Sequence, residues 1–268
     1  MKIIRIAAAS LLVIAAIGAL GAGIITPAGY ERQFRELPDA RPSAQHLLGT
    51  DELGRDRLAR LLYGMRVSLL LAPLAAALAT ILAAFIGGMA GYFGGWTERC
   101  LLLLVDLFLC VPWLFLLITV RAVLPLNISP EASVIVTFTL LGMLGWAATA
   151  RVICAGTKDM MKSEFVWMAR ASGFSGLKLV RLHLLPNLRG TLLAQFWISI
   201  PVFIIAEANL GVLGLGVSEP LPSLGSLLRE LQHVVTLRPE SWQFVPLIVL
   251  IVVVSSFQIL LTKNEVRA

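Results

Sequence analysis

The stretch Val67-Ser68-Leu69-Leu70-Leu71-Ala72-Pro73-Leu74-Ala75-Ala76-Ala77-Leu78-Ala79-Thr80-Ile81-Leu82-Ala83-Ala84-Phe85-Ile86-Gly87-Gly88-Met89-Ala90-Gly91 contains no charged residue. A helix rises about 1.5 Å per residue and the hydrocarbon core of a bilayer is about 30 Å thick, so about 20 such residues cross it. Five further runs are predominantly apolar: Ile6 to Ile25, Leu101 to Val123, Ser133 to Ala150, Leu192 to Leu210 and Phe244 to Leu261. They are continuously apolar rather than alternating. That favours helices over a barrel, because backbone groups in lipid must be satisfied within their own segment. The expected fold class is therefore all-α, a polytopic membrane protein with six transmembrane helices.

Composition agrees. A chain that is 58% hydrophobic and 14% charged, with mean hydropathy +0.86, is too apolar for a soluble domain. The first run follows the basic start Met1-Lys2-Ile3-Ile4-Arg5 as a signal peptide would, but it is 20 residues long. A signal peptide's apolar core is about 7 to 15 residues, so the run reads as a retained span. The net charge of +6 fits cations facing anionic lipid better than nucleic acid, since no basic stripe is interleaved with aromatics. Cys100, Cys110 and Cys154 have no metal or disulfide spacing and read as buried free thiols.

Six spans put both ends on one side. Counting Lys and Arg separates the two sides little, but density decides: Arg151 to Arg189 carries seven cations against only Asp159 and Glu164. The loop from Glu31 to Arg66 mixes both signs evenly. The ends and the basic loop are expected in the cytoplasm.

Two connections are long enough to fold, Thr26 to Arg66 outside and Arg151 to Thr191 inside, and a third stretch outside, Gly211 to Gln243, is interrupted by Pro220, Pro222 and Pro239. In the inner loop Ser163 suits an N-cap, Glu164 complements the helix dipole, and Gly173 suits the left-handed position past a helix end. The helix between them has Phe165, Met168, Ala169 and Ser172 on one face, with Lys162 and Arg170 polar. So short a helix needs something to hold it, either lipid headgroups or a partner. Further on, Leu177 to Leu185 meets Pro186, which a helix interior resists, so His183-Leu184-Leu185-Pro186-Asn187 is expected to end one helix and turn into the fifth span. His183 lies across the membrane from His46 and His233, and no metal cage or Ser-His-Asp triad can be assembled from them.

Two acids interrupt the spans. Asp106 lies about one turn into the third, and Glu207 lies near the outer end of the fifth. A carboxylate in hydrocarbon must face the bundle interior, pair, or take up a proton, so both are candidates for a translocation pathway and equally for a clamp between helices. Gly87, Gly91 and Gly95 form a small-residue face suited to close packing.

Several pieces, in this order, resemble the permease subunits of oligopeptide and dipeptide ABC importers, a family that also moves nickel. They are His46-Leu47-Leu48-Gly49-Thr50-Asp51-Glu52-Leu53-Gly54-Arg55-Asp56, then Arg66-Val67-Ser68-Leu69, Asp106 with Pro112, Gly145-Trp146 and Ala150-Arg151. Ala206-Glu207-Ala208, Leu213-Gly214-Leu215-Gly216-Val217 and Pro222-Ser223-Leu224-Gly225 follow. The inner loop resembles that family's Glu-Ala-Ala coupling segment at Ala169, Gly173, His183, Leu185 and Pro186. Trp167 and Met168 stand where the pattern has Glu and the first Ala, and Glu164 is three positions too early to replace that Glu. The ending Lys263-Asn264-Glu265-Val266-Arg267 also departs from the family's usual one.

The resemblance implies a first helix and outer loop over residues 1–66 and a five-helix permease core over 67–268, with a cytoplasmic coupling loop at 151–190. It implies that Glu164, Phe165, Trp167, Met168, Ala169, Arg170, Gly173, His183 and Pro186 dock on a cytoplasmic ATP-binding subunit. It also implies a second, related permease subunit and a substrate-binding protein outside. ATP and Mg would sit on the partner ATPase and no cofactor on this chain, which has no G-x-x-x-x-G-K-[ST] loop and is not expected to be an enzyme. The competing reading is an ion-coupled secondary transporter using Asp106 and Glu207, against which the sequence shows no internal repeat.

Overall fold

The computed structural model describes residues 2–125, 128–174, 176–237 and 241–262. Pro239 and the ending Lys263 to Arg267 therefore fall outside the described residues. In chain order the helices are α1 (Lys2–Leu20), α2 (Ala22–Ile25), α3 (Arg57–Phe93), α4 (Gly95–Cys110), α5 (Trp113–Val123), α6 (Pro130–Leu144), α7 (Ala147–Met161), α8 (Glu164–Ala171) and α9 (Gly176–Leu179). A π-helical turn, Val180–Leu184, leads into α10 (Leu185–Val212), and α11 (Leu224–Leu237) and α12 (Val245–Leu261) follow. Among the described residues, extended pairing is limited to the isolated bridges Gln33 with Arg55 and Thr50 with Asp56. The all-α polytopic fold is as the apolar runs indicate. Among the described residues, five helical segments are long and apolar enough to cross a membrane, or six with the bent pair α4 and α5 counted as one span.

That bent pair is one departure from the expected spans. The run Leu101 to Val123 breaks at Val111-Pro112 with a bend of 80°. Proline disfavours the helical region for the residue before it, and Val111 accordingly is extended, at φ −94° and ψ 126°. Two others concern the inner loop. The helix of the fourth span does not end at Ala150 but continues through α7 to Met161, so Arg151 lies in a helix. Pro186 does not end a helix either. It stands in the first turn of α10, where a missing N–H costs little, and the π-helical turn absorbs the change of register. The Asn187 side-chain amide donates to the His183 carbonyl at 2.7 Å, supplying one donor there.

The chain forms two compact units. The first comprises residues 1–72, 120–138 and 201–268, and the second 73–119 and 139–200. In the first, α1 packs on α12, and α11 also reaches α12. In the second, α7 packs on α4 and on the glycine face of α3. A Cβ on Gly91 would stand 2.6 Å from the Cys154 carbonyl oxygen. Gly95 does not extend this face: its φ is +55°, it opens α4, and nothing lies near it. Of the three free cysteines only Cys154 is buried, whereas Cys100 and Cys110 are exposed. Their apolar neighbours Leu103, Leu107 and Leu109 are exposed as well, as on a surface that lipid or protein covers.

Candidate functional site

In the second unit, the eight residues of α8 cannot hold a helix alone in water. Val166 and Ala169 anchor it, buried with Leu179 and Leu184 in a cluster that Tyr92, Met160, Met161 and Val180 complete. The buried stripe is thus not the one the sequence suggests: Ala169 turns inward, but Phe165, Met168 and Ser172 do not. Trp167 and Met168 are 63% and 71% exposed. Glu164 and Arg170 also point outward.

Both ends of α8 are fixed. Ser163 occupies the N-cap position with extended backbone, but its hydroxyl donates to the Met160 carbonyl rather than capping the helix. At the other end Gly173 has φ +81°, with its N–H donating to Arg170 at 3.0 Å and that of Phe174 to Ala169 at 3.1 Å. This is a left-handed glycine cap. His183 lies in the π-helical turn with its ring against Phe174, centroids 5.3 Å apart, and its buried Nε2 has no hydrogen-bond partner among the described residues. The residues expected to dock therefore lie on α8, its cap, the π-helical turn before α10 and, for Pro186, the first turn of α10.

The two acids have different surroundings. In the second unit Asp106 pairs with Arg151, and both side chains are more than half exposed in the isolated chain. Two turns away Lys158 and Glu98 pair at 2.5 Å. In the first unit Glu207 is wholly buried and accepts from the Ser68 hydroxyl at 3.1 Å.

The first unit also contains a charge network that sequence reasoning missed. Asp51 accepts from the Arg55 backbone N–H at 2.7 Å and from its Nε at 2.6 Å. Arg55 also pairs with Glu219, and Arg60, wholly buried, pairs with Glu219 at 3.2 Å and with Glu230. Asp56 caps α3, accepting from the Ala59 N–H at 2.8 Å, and its other oxygen meets His46 Nδ1 at 2.8 Å. The stretch from His46 to Asp56 is thus a self-bonded loop held to residues far along the chain. Although burial disfavours the Glu219 anion, Arg60 and Arg55 hold its carboxyl below the ordinary value, whereas burial pushes that of Glu230 up. Among the described residues no group of three or more His, Cys, Asp or Glu could hold a metal.

Fold and site together define an α-helical, multi-pass membrane protein that presents a short capped helix between two of its spans. Residues 61–265 match the family described as binding-protein-dependent transport system inner membrane component, and the chain belongs to that family. It is 34% identical over 189 residues to the oligopeptide transport system permease protein OppC of Mycobacterium bovis, covering 70% of this chain and 64% of that one. With the dipeptide transport system permease protein DppC of Bacillus subtilis it shares 30% identity, over 77% of this chain and 62% of the relative. With the glutathione transport system permease protein GsiD of Pectobacterium atrosepticum it shares 29%, over 82% and 70%. The match thus spans less than two thirds of the first two relatives.

Proposed function

We propose that this chain is a membrane-spanning subunit of an ATP-driven importer of peptides or related small solutes, coupled through α8 to a separate ATPase that holds ATP and Mg. The observation that carries this reading is the exposure of Trp167 and Met168 on a helix whose opposite face is anchored and whose end is capped. Adjacent exposed apolar side chains on a rigid helix fit a groove in a partner, and movement of that partner would reach the bundle through Val166, Ala169 and Leu184. In this reading the chain ends and residues 151–190 face the cytoplasm. Residues 1–66 would be the first helix and outer loop of the permease, and residues 67–268 its core.

A second permease subunit is supported by the pair Asp106 and Arg151. Asp106 lies eight residues beyond Glu98 on α4, or about 12 Å along it, and an exposed ion pair at that depth is costly against lipid. A second subunit or a water-filled path between subunits would cover it. A substrate-binding protein outside completes the assembly, as the family's description implies.

The test is co-purification and ATPase activity in lipid, with the wild-type chain and with Trp167→Arg. Wild type should carry an ATPase whose hydrolysis is stimulated by receptor and peptide, and the variant should insert normally but lose the stimulation. If no ATPase co-purifies and vesicle uptake follows a proton or sodium gradient instead, the ion-coupled reading replaces this one, with Asp106 and Glu207 examined next.

A further inference from the structure

In the first unit, Arg121 is fully buried near the end of α5. Its Nη2 donates to the Ser133 hydroxyl at 3.2 Å and to the Gly216 carbonyl at 3.5 Å, while Nε and Nη1 are buried with no hydrogen-bond partner among the described residues. A buried guanidinium is normally paired, because desolvating an uncompensated charge is costly. Arg121 also borders a cavity of about 360 Å³ that Gly216, Ser218, Ser226 and Arg229 help to line. That volume lies within the range of about 300 to 1,000 Å³ usual for small-molecule sites.

The charges around the cavity do not cancel. Glu219 and Glu230 border it too, but Arg55 and Arg60 already bind them, and Asp51 takes the same two arginines from behind. Arg229 is exposed and has no ion pair among the described residues. Four guanidinium groups therefore face three carboxylates, leaving one positive charge over. Arg60 also keeps a buried Nε and Nη1 without a hydrogen bond, but it is ion-paired and does not line the cavity, so of the two arginines that do, Arg121 is the one with unused buried donors. Gly214 admits the second cation to the wall, since a Cβ there would stand 3.0 Å from the Arg229 guanidinium carbon.

We propose that this cavity binds the free carboxylate of a small solute, with Arg121 donating to it from inside and Arg229 from the rim. The proposal rests on the importer reading and names the feature of the cargo that this subunit recognises. A planar monoanion matches both the fork of donors and the single unmatched charge, whereas a phosphate dianion would overcompensate it.

The test is calorimetric titration of the purified complex, in phosphatidylcholine nanodiscs without nucleotide, with Ala-Ala and with its C-terminal amide. Because no nucleotide is present, failure of ATPase coupling would leave this readout intact, so the two proposals fail separately. Wild type should bind the acid at least about tenfold more tightly than the amide, as expected for a lost charge-assisted hydrogen bond, and Arg121→Gln should erase the difference. Arg229→Gln, at an exposed position, should weaken the acid about threefold and leave the amide unchanged. Equal binding of acid and amide to wild type overturns the proposal, as does an unchanged acid preference in Arg229→Gln. Displacement of Ala-Ala by equimolar inorganic phosphate, or its loss when phosphatidylglycerol is added, would identify a general anion or lipid site and equally overturn it.

Discussion

Gly87 meets the backbone of Ala150 with no room for a side chain, since a Cβ on it would stand 2.2 Å from the Ala150 carbonyl oxygen. Its neighbour Gly88 faces open space. Gly87→Val should therefore destabilise the second unit by at least about 2 kcal/mol, the scale of overpacking, while Gly88→Ala should be neutral or slightly stabilising. Thermal unfolding in detergent would compare them, and equal loss in both would dismiss the close contact of α3 and α7.

At Gly173 the conformation, not the space, is restrictive: φ is +81° and nothing lies within reach of a Cβ. Gly173→Asn, which tolerates the left-handed region, should keep most of the stimulated ATPase activity, and Gly173→Val should lose it with insertion intact. Ala169→Arg should lose it as well, because Ala169 is buried in the cluster that anchors α8. Normal transport by Gly173→Val would falsify the coupling role of this cap.

The Arg55, Arg60, Glu219 and Glu230 network makes stability depend on pH with opposite signs. The pairing arginines lower the Glu219 pKa below 4.5, so its contribution is full above that value and is lost as pH falls through its folded-state value. Burial raises the Glu230 pKa, so its contribution is present below 4.5 and is lost as pH rises through its folded-state value. Melting curves across this range should show Glu219→Gln flattening the acid limb and Glu230→Gln flattening the limb above it. Identical profiles for both variants and wild type would mean that the network does not couple to protons.

Ser68 donates to Glu207 at 3.1 Å, with both groups wholly buried. Ser68→Ala removes that donor and should cost about 1–3 kcal/mol, whereas Glu207→Gln keeps an acceptor in place and should cost less. Unfolding midpoints in detergent would rank the two, and the reverse order would show that the Glu207 charge matters more than its hydrogen bond.

The spans were legible because a bilayer imposes length and apolarity on any sequence that crosses it. What interrupts them was harder to read. Pro112 bends the third span and Pro186 does not stop the fifth, and the difference lies in whether a neighbouring turn can absorb the missing N–H. α11 went unseen because three prolines mark its stretch as loop, although none of them falls inside the helix. The end of α8 was legible at Gly173, where only a few residue types suit the backbone, but the buried stripe of the helix was not. Ala169 and Met168 look equally apolar in sequence, and only packing against Leu179 and Leu184 separates them. The charge network was invisible for a plainer reason: nothing local links Arg60 to Glu230. Arg121 left a signal, a cation inside an apolar run, as unusual there as the two acids.

Arg55 and Glu219 are 164 residues apart, and Arg60 and Glu230 are 170. At a synthesis rate of about 5 to 20 residues per second, the two arginines emerge from the ribosome about ten to thirty seconds before their acids. In that interval Asp51 is the one carboxylate of the network already made, so the loop preceding α3 and the first turn of that helix must wait, with Arg55 and Arg60 in water or at the headgroups, until the last third of the chain arrives. A nascent chain halted between α7 and α10 should therefore carry inserted early helices but an unfinished first unit, one that protease added from that side of the membrane can still enter.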